Sequence, residues 1–414
     1  MTKHTLSRPV ATLDPFNADG VAEGDRLREL GALVPIVLDA GAVRTWATAD
    51  HAMARQVFIS EAFSKDPVHW RAYMDGEIPT GWPLLPLITM QSMLNREGAD
   101  HQRLRKLLSA AFTPRRIELL RGTVETMAEA LLDEIARAER EIDLRRDYAF
   151  PLPMGVISHL FGVDDPADRD LLARHYGTVI SSTSTPQEVQ AAQLGLGQVI
   201  TALIAAKRTR PGADLTSALI DARDGDDRFT EGELVETLLL MLFAGHETSK
   251  NLITNAIAAL LRHPKYLAAA REGTDPDWAL PVVSETLRWA SPIRVVMFYY
   301  ATRDVELDGQ LVRTGEPVLL YIAATGRDRT RFGSDADSFK PERTDAAHHL
   351  SFGRGVHYCI GAPLGQMTAS IALHALFRRF DVECPTLDTL PSEATYASNS
   401  LQALPVTLTV PAPV

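Results

Sequence analysis

Apolar residues recur at steps of three and four along most of the chain, the period of an amphipathic α-helix. This spacing predicts helices over segments such as "ELLRGTVETMAEALLDEIARAERE" and "GQMTASIALHALFRRF". The longest apolar region, residues 234–261, reads "LVETLLLMLFAGHETSKNLITNAIAALL". We predict a buried helix there rather than a membrane span, because His246, Glu247 and Lys250 interrupt its apolar run.

Strand-like alternation is rarer and shorter. It covers "GAVRTWATA" near the start, residues 304–324 and "ALPVTLTV" at the end, and Asp308-Gly309 predicts a hairpin turn within 304–324. No repeat, low-complexity tract or flexible linker divides the chain. We therefore expect a mainly α fold with small β-sheets, built as one large helical unit over residues 1–414 around a long central helix, with about residues 1–20 loosely ordered.

Composition narrows the class of protein. The 414 residues are 45% hydrophobic and 23% charged, with a net charge of -11, so a nucleic-acid backbone would be repelled. Two cysteines, Cys359 and Cys384, are too few for a disulfide framework and suit a reducing compartment. The first residues, "MTKHTLSRPVATLDPF", contain no apolar run of the kind found in signal peptides or anchors. We expect a cytoplasmic protein without membrane attachment.

Cys359 lies in a stretch crowded with turn residues, "FGRGVHYCIGAPLG" at 352–365. Gly353 and Gly355 allow the positive φ that a tight turn beside a flat ligand requires. Pro363 marks the first turn of the following helix, where the helix dipole and free N–H groups are expected to favour a thiolate. A thiolate in this position is suited to act as a soft ligand of a metal ion. A buried structural cysteine and a catalytic nucleophile are the alternatives, while a zinc site lacks paired ligands.

The stretch "AGHETS", residues 244–249, interrupts the long apolar helix. Gly245 lowers helix propensity and Thr248 can donate to the carbonyl of Ala244, so we expect the helix to open locally into a groove. Glu247 next to Thr248 places an acid beside a hydroxyl, which a proton relay requires. The alternative is a kink whose polar groups are satisfied by neighbouring helices.

Glu285 and Arg288 stand three residues apart in "VVSETLRWASP", on one face of a predicted helix. A pair with this spacing is usually a solvated bridge of little stabilising value. Apolar neighbours surround it here, which allows a buried pair that specifies geometry more than it stabilises. The sequence leaves both interpretations open.

Together, the three stretches resemble the cytochrome P450 superfamily, the haem-thiolate monooxygenases of the soluble bacterial, ferredoxin-dependent type. "FGRGVHYCIG" matches the family's haem-binding loop, "AGHETS" its oxygen-activating helix and "ETLR" its Glu-x-x-Arg motif. The third member of that last motif is then Arg343 in "FKPERTD". The order and spacing agree from about residue 30 to the end.

The resemblance implies a haem b cofactor with Cys359 as the axial thiolate ligand of its iron. Phe352 would pack on the thiolate side, and Gly353 and Gly361 would border the cofactor in the same loop.

On the oxygen side, the resemblance implies catalytic roles for four residues of the central helix. Thr248 and Glu247 would handle O2 and deliver protons, while Gly245 and Ala244 would leave room for O2.

The haem propionates need cations, and the family takes them from the positions of His101, Arg105 and His357. Without the resemblance, His101 and Arg105 would be interpreted as surface charges. The family's usual propionate arginine is replaced here by Tyr299, whose phenol brings no charge. Arg294 and Arg303 are the candidates to compensate.

By the same resemblance, the substrate pocket has a largely apolar wall, with a roof from residues 66–93 and the helices around 168–205. The implied wall residues are Ile293, Arg294, Val295, Val296, Met297, Ser398 and Leu401. Such a wall suits a small hydrophobic or amphipathic substrate, such as a polyketide or steroid-like secondary metabolite, which would be hydroxylated or epoxidised with O2.

Electrons must come from outside, because the chain has no flavin or nicotinamide motif and no iron–sulfur cysteine cluster. The resemblance implies a ferredoxin and its reductase as partners of a monomer. Basic residues proposed to receive the ferredoxin are Arg103, Lys106, Arg115, Arg116 and Arg354. Two alternatives stay open: an oxidative coupling or peroxide-driven enzyme of the same fold, and a haem-binding protein without turnover. The intact Glu247-Thr248 pair counts against the first of these alternatives.

Overall fold

Helices make up most of the computed structural model, which describes residue 6 and residues 9–14, 19–38, 43–82, 84–181, 184–222, 227–267 and 278–410. The α-helices of this part of the chain are α1 (Gly20–Leu30), α2 (His51–Ile59), α3 (Arg71–Met74), α4 (Leu85–Thr89), α5 (Gly98–Ala111), α6 (Pro114–Leu119), α7 (Arg121–Arg137), α8 (Pro151–Phe161), α9 (Pro166–Ile180), α10 (Pro186–Thr209), α11 (Leu215–Asp221), α12 (Glu231–Arg262), α13 (Ala279–Trp289), α14 (Ile322–Thr325), α15 (Arg329–Phe332) and α16 (Ala362–Arg379).

The described residues also form three small sheets. The strands are β1 (Ala11–Leu13), β2 (Val34–Leu38), β3 (Val43–Thr48), β4 (Phe63–Ser64), β5 (Ile142–Asp143), β6 (Val296–Ala301), β7 (Val305–Leu307), β8 (Gln310–Val312), β9 (Pro317–Leu320), β10 (Asp381–Glu383) and β11 (Pro405–Thr409). The largest sheet has the order β1-β2-β3-β9-β6-β4, the second has the order β10-β11-β5, and β7 pairs with β8. The expected mainly α fold with small β-sheets is confirmed.

The first half of residues 304–324 has the predicted hairpin, but the second half does not follow the prediction. Asp308 and Gly309, with φ of 48° and 70°, form the predicted tight turn between β7 and β8. Beyond the hairpin, β9 joins the large sheet between β3 and β6, and Ile322–Thr325 is helical. The alternation that suggested one hairpin instead packs Leu319 into one apolar core and Val318 into another, on opposite faces of the sheet.

The long central helix is confirmed as α12, Glu231–Arg262. It begins at a capping box, in which the Thr230 side chain accepts from the Glu233 N–H and the Glu233 carboxylate accepts from the Thr230 N–H. Helices α8, α10, α13 and α16 pack around it. Its second half is almost continuously buried, and its polar groups therefore need partners from these neighbours.

Among the described helices, α10 alone has the length and apolar composition of a membrane span. Its buried positions recur at steps of three and four: Ala192, Gly195, Leu196, Ile200 and Ile204. This pattern is that of an amphipathic surface helix, packed here on α9 and α12.

The predicted loose order of about residues 1–20 lies partly outside the described residues, since 1–5, 7–8 and 15–18 are not among them. Within that segment, β1 pairs in parallel with β2 at the edge of the large sheet. The prediction of one structural unit over residues 1–414 stays a prediction.

Glu285 and Arg288 on α13 form a buried pair, with both side chains at 0% exposure. The guanidinium donates to both carboxylate oxygens at 2.6 and 2.7 Å, and also to backbone carbonyls of Ala336 and Ser338. Arg343 Nε lies 3.7 Å from Glu285 Oε1. The sequence left open a solvated or a buried pair, and in the structure the pair is buried.

Candidate functional site

A cavity of about 390 Å³ lies between α12 and the cysteine loop. Most of its wall is apolar, with side chains from α8, α12 and the loop after α13. The structure brings together on this wall ten of the residues singled out from the sequence: His101, Arg105, Ala244, Gly245, Thr248, Phe352, Gly353, His357, Cys359 and Gly361.

The cysteine loop is closed by a backbone hydrogen bond from Cys359 N to Phe352 O at 2.9 Å. Gly353 and Gly355 have φ of 70° and 75°, as the turn requires. A Cβ at Gly355 would lie 2.8 Å from the carbonyl oxygen of Phe58, which no side chain tolerates. This glycine therefore brings the loop against the end of α2, and the loop in turn presents Cys359 to the cavity.

The Cys359 side chain faces into the cavity, three residues before α16 begins at Ala362. Burial raises the pKa of its thiol, and the N–H groups of Gly361 and Ala362 and the Arg105 guanidinium only partly oppose this. The N–H groups of Gly361 and Ala362 at the start of α16 thus favour the thiolate, as expected, although they do not outweigh burial. A coordinated metal ion deprotonates a thiol outright, so this sulfur becomes a thiolate when it binds iron.

Two other interpretations of Cys359, a zinc ligand and a catalytic nucleophile, gain no support from the structure. Among the described residues, no group of three or more His, Cys, Asp or Glu side chains could hold a metal ion, so zinc has no ligand set. A nucleophilic thiol would need a base, and the neighbouring His357 directs its Nε2 to Glu97 Oε1 at 2.9 Å instead.

Across the cavity, α12 presents Ala244, Gly245 and Thr248. Thr248 Oγ1 donates to Ala244 O at 2.6 Å, as predicted, while the segment stays α-helical throughout instead of opening as expected. A Cβ at Gly245 would lie 3.3 Å from Ile157 Cδ1 of α8. The glycine therefore lets α8 approach closely and keeps this part of the wall free of side chains.

Glu247 is not on the cavity wall. Adjacent residues of an α-helix lie about 100° apart around its axis, so Thr248 and Glu247 face different directions. The Glu247 carboxylate accepts from Lys250 Nζ at 2.8 and 2.9 Å and from Ser398 Oγ at 2.9 Å. Burial would raise the pKa of Glu247, but the Lys250 charge and these hydrogen bonds hold it below its usual range.

The Lys250 ammonium connects Glu247 to a second opening. Lys250 lines a solvent-open cavity of about 280 Å³ together with Arg145, and its Nζ lies 3.9 Å from Glu393 Oε1. Burial raises the pKa of Glu393, although Arg145 and Lys250 oppose it. The sequence analysis missed this role of Lys250. The sequence could have indicated it, because Lys250 follows Glu247 by three residues in a helix predicted to be buried, and residues with this spacing are neighbours.

At one edge of the cavity, the His101 and His357 rings lie 4.3 Å apart by centroid. His101 is 3% exposed, which rules out the surface interpretation, and its Nε2 has no hydrogen-bond partner. Burial lowers its pKa to about 4, and His357 acts in the same direction. Arg105 also faces the cavity and donates to Tyr358 O at 2.8 Å.

Tyr299 lies on the wall at the same edge, but neither compensating arginine does. Arg303 is exposed, and Arg294 is buried near Gly20 and Tyr321, behind the sheet. The cation nearest Tyr299 is one that the sequence analysis missed. Lys65 Nζ lies 4.9 Å from the centre of the Tyr299 ring, and Lys65 lines the cavity.

The predicted substrate-pocket residues divide into two groups. Ile293 and Val296 line the cavity. The remaining five do not: Arg294, Val295, Met297, Ser398 and Leu401. Val295 and Met297 pack into the apolar core of the sheet, and Ser398 contacts Glu247. Of the described residues between 66 and 93, only Met93 reaches the wall, and the described parts of α9 and α10 contribute none.

These features fit a haem. The body of the cavity is apolar, as a porphyrin requires, and a single thiol projects into it. At one edge, Lys65 and Arg105 supply positive charge, and the unpartnered His101 Nε2 needs a ligand atom. An apolar ring system with carboxylates at one side matches this distribution.

Comparisons with known proteins agree with this chemistry. The sequence profile described as Cytochrome P450 matches residues 188–275 and 280–410. The chain is 40% identical to 2-hydroxy-5-methyl-1-naphthoate 7-hydroxylase of Streptomyces carzinostaticus, over 96% of this chain and 97% of that protein. It is 36% identical to the cytochrome P450 monooxygenase PikC of Streptomyces venezuelae, over 97% of this chain and 95% of PikC.

Solved structures give the same result. CYP154A1 from Streptomyces coelicolor A3(2) superposes with a TM-score of 0.86 at 40% identity, covering 97% of this chain and 100% of that one. Testerone-bound CYP154C4 from Streptomyces sp. ATCC 11861 superposes with a TM-score of 0.89 at 38% identity, covering 97% and 98%.

Proposed function

The chain belongs to the cytochrome P450 family, the haem-thiolate monooxygenases, and on this basis we propose that it adds one oxygen atom of O2 to a hydrophobic, ring-containing small molecule of secondary metabolism. The observation that carries the proposal is the apolar cavity between Thr248 and Cys359, which has no carboxylate among its described wall residues. A rigid hydrophobic ring system matches such a wall better than a highly polar metabolite.

Two relatives support a ring-containing substrate. One hydroxylates 2-hydroxy-5-methyl-1-naphthoate, and one structural neighbour was solved with testerone bound. Both align with this chain over nearly its whole length. Ile293 and Val296 are the apolar side chains that we assign to substrate contact, because both line the cavity, in the segment after α13 and at the start of β6.

Each wall of the cavity has its own task in this proposal. Cys359 and Phe352 line one wall, where Cys359 would hold the haem through its sulfur and Phe352 would pack on the same side. When bound, the haem supplies the iron centre at which O2 is activated. Ala244 and Gly245 keep the opposite wall open, and the Thr248 hydroxyl, which donates to Ala244 O, lies on the same wall.

Proton supply falls to Glu247 and its partners on the outer side of α12. Glu247 touches Lys250, which lines the solvent-open cavity, so protons can reach it without crossing the substrate pocket. Because Glu247 and Thr248 face different directions, transfer between them requires the Glu247 side chain to rotate or a water molecule to intervene.

A ferredoxin is the proposed electron donor, docking beside the cysteine loop. Val356 and Tyr358 of this loop are 59% and 39% exposed, and Lys106, Arg115 and Arg116 are exposed on the neighbouring helices. The other two predicted docking residues are engaged elsewhere. Arg103 pairs with Glu233, and Arg354 donates to the carbonyls of Ala347 and His349. We also propose that the protein is a monomer in the cytoplasm, where reduced ferredoxin is available.

The proposal is tested with the purified holoenzyme and four ligand sets: hydroxynaphthoates, steroids, macrolides and long-chain fatty acids. Binding is followed by the shift of the Soret band on titration. Turnover is followed with ferredoxin, its reductase, NADPH and ¹⁸O2, with mass spectrometry of the product. One ¹⁸O atom in a ring-containing substrate supports the proposal. Binding and turnover of fatty acids alone, or products coupled without oxygen insertion, contradict it.

A further inference from the structure

Lys65 is a buried ammonium on the wall of the haem cavity. It follows directly after β4, and β4 pairs antiparallel with β6 through Ser64 and Tyr300. The next position along this pairing places Lys65 beside Tyr299. The residue is 3% exposed, although lysine is almost never buried without a partner.

An irregularity in the sheet holds the lysine. Between Val296 and Tyr299 the register of β6 against β9 shifts by one residue, which is a β-bulge. The two bulged residues turn their carbonyls to the ammonium, and Lys65 Nζ donates to Met297 O at 2.7 Å and to Phe298 O at 3.4 Å. An ammonium has three N–H donors. The third has no acceptor among the described residues, and Lys65 lines the cavity.

The charges around Lys65 are unbalanced. Of the described wall residues, only Lys65 and Arg105 carry a permanent positive charge, and none is a carboxylate. The nearest acid, Glu97, lies off the wall and already accepts from the Lys65 backbone N–H and from His357, both at 2.9 Å. Burial lowers the pKa of the Lys65 ammonium to about 8, and Glu97 offsets this only in part. A buried, half-satisfied cation of this kind gains when an anion arrives.

Arg105 cannot meet this need alone. It donates to Tyr358 O in the cysteine loop and lies close enough to Cys359 to influence the pKa of its thiol. A haem has two carboxylates, and His101 on the same edge is held neutral by burial. A second full positive charge must therefore come from another residue.

We propose that Lys65 binds a haem propionate through a charge-assisted hydrogen bond and supplies the positive charge that Tyr299 cannot. The Tyr299 ring then acts as a flat side wall that holds the ammonium in place by a cation–π contact. The proposal rests on haem occupying the cavity with Cys359 as its ligand. The alternative is a purely structural lysine that only ties down the β-bulge.

The test measures how fast the purified holoenzyme transfers haem to excess apomyoglobin, followed by the Soret band. Lys65→Met should transfer haem about 10- to 100-fold faster than the wild type, because it loses one charge-assisted hydrogen bond. Lys65→Arg keeps the charge and should stay within about threefold of the wild type. Lys265→Met removes an exposed lysine away from the cavity wall and should leave the rate unchanged.

A rescue variant separates the propionate role from a structural one. Tyr299→Arg, added to Lys65→Met, restores a cation at the same edge and should slow haem transfer at least severalfold relative to Lys65→Met alone. A structural lysine predicts no rescue, since the bulge carbonyls would still lack their donor. If Lys65→Met does not fold, Lys65→Gln replaces it, because it keeps a donor for the carbonyls and removes only the charge.

The proposal is overturned if the charge-removing variant transfers haem at the wild-type rate. It is also overturned if Lys65→Arg transfers as fast as Lys65→Met and Tyr299→Arg gives no recovery. Whether Cys359 is the thiolate ligand is tested separately, by the carbon monoxide spectrum of the reduced wild type. A missing red shift there would remove Cys359 as ligand, while the relative transfer rates would still report on Lys65.

Discussion

The Lys250 ammonium lies within hydrogen-bond distance of both oxygens of the Glu247 carboxylate, at 2.8 and 2.9 Å. Helix geometry places the acid off the wall of the haem cavity, and this contact holds it beside Lys250, which lines a solvent-open cavity. The acid is therefore linked to water on its outer side, and the lysine sets its charge state.

Replacing Lys250 should disturb proton supply. In Lys250→Met, burial is no longer opposed by the neighbouring charge, so the pKa of Glu247 rises and its carboxyl is protonated over a wider pH range. We expect product formation to fall about 10-fold or more, since general acid–base steps commonly contribute at least this much. NADPH consumption, product and released peroxide are measured across pH 6 to 9. Lys250→Arg keeps the charge and is the control. Tight coupling in Lys250→Met, with an unchanged pH profile, would exclude this role.

Cys359→Ser should abolish the strongly red-shifted Soret band of the reduced carbon monoxide complex. A hydroxyl is a poor ligand in place of a thiolate, and no other cysteine lines the cavity among the described residues. The fold should survive, because the loop is closed by the backbone bond between Cys359 N and Phe352 O. Circular dichroism checks the helix content. Cys384→Ser is the matched control and should keep the wild-type spectrum. An unchanged spectrum in Cys359→Ser would remove Cys359 as the ligand.

Glu285→Gln should lower the free energy of unfolding by about 3–5 kcal/mol, because it leaves the fully buried Arg288 guanidinium without its counter-ion. Urea unfolding followed by circular dichroism measures the change. Glu306→Gln, at an exposed position of β7, should change stability by less than about 0.5 kcal/mol. Equal stabilities of the two variants would show that the buried pair does not depend on its charge.

Acid should destabilise the protein through His246, which is 0% exposed between the Phe150 and Tyr176 rings. Burial lowers its pKa to about 4, so the folded state keeps the ring neutral while the unfolded chain takes up a proton below about pH 6.5. Stability from this group is therefore complete above pH 6.5 and falls as the pH drops towards 4, by up to about 3 kcal/mol.

The measurement for His246 is the urea midpoint between pH 7.5 and 4.5. The curve of His246→Gln should be flatter over this window, whatever its absolute stability. His69→Gln replaces an exposed histidine and should follow the wild-type curve. A parallel curve for His246→Gln would assign the acid sensitivity to other groups, among them His349, whose pKa burial lowers to about 3.

Reversing charge beside the cysteine loop should weaken ferredoxin binding. Arg115→Glu and Arg116→Glu should each raise the KM for ferredoxin about fivefold at low salt, and the difference from the wild type should shrink as ionic strength rises. Reduction kinetics at several salt concentrations measure this. Arg137→Glu, at an exposed position at the end of α7, is the control. Unchanged KM values in both test variants would locate the docking surface elsewhere.

Local spacing in the sequence was enough to predict much of the architecture. The three- and four-residue period predicts α12, and Asp308-Gly309 predicts the turn between β7 and β8. The hydrogen bond from Thr248 to Ala244 also follows from spacing, since residues four apart in a helix are neighbours. The motif around Cys359 was informative because its glycines and helix start lie within a few residues of the sulfur.

Tertiary packing decided which groups share the cavity. Lys65 and Tyr299 come together only because β4 pairs with β6, and no local pattern encodes a pairing between strands so far apart in the chain. The family resemblance assigned Arg294 to the pocket, but the residues of an extended segment alternate in direction, and Arg294 points behind the sheet. The hydrophobic periodicity of a sequence indicates which residues are buried. The partner that each one is buried against depends on how distant segments pack.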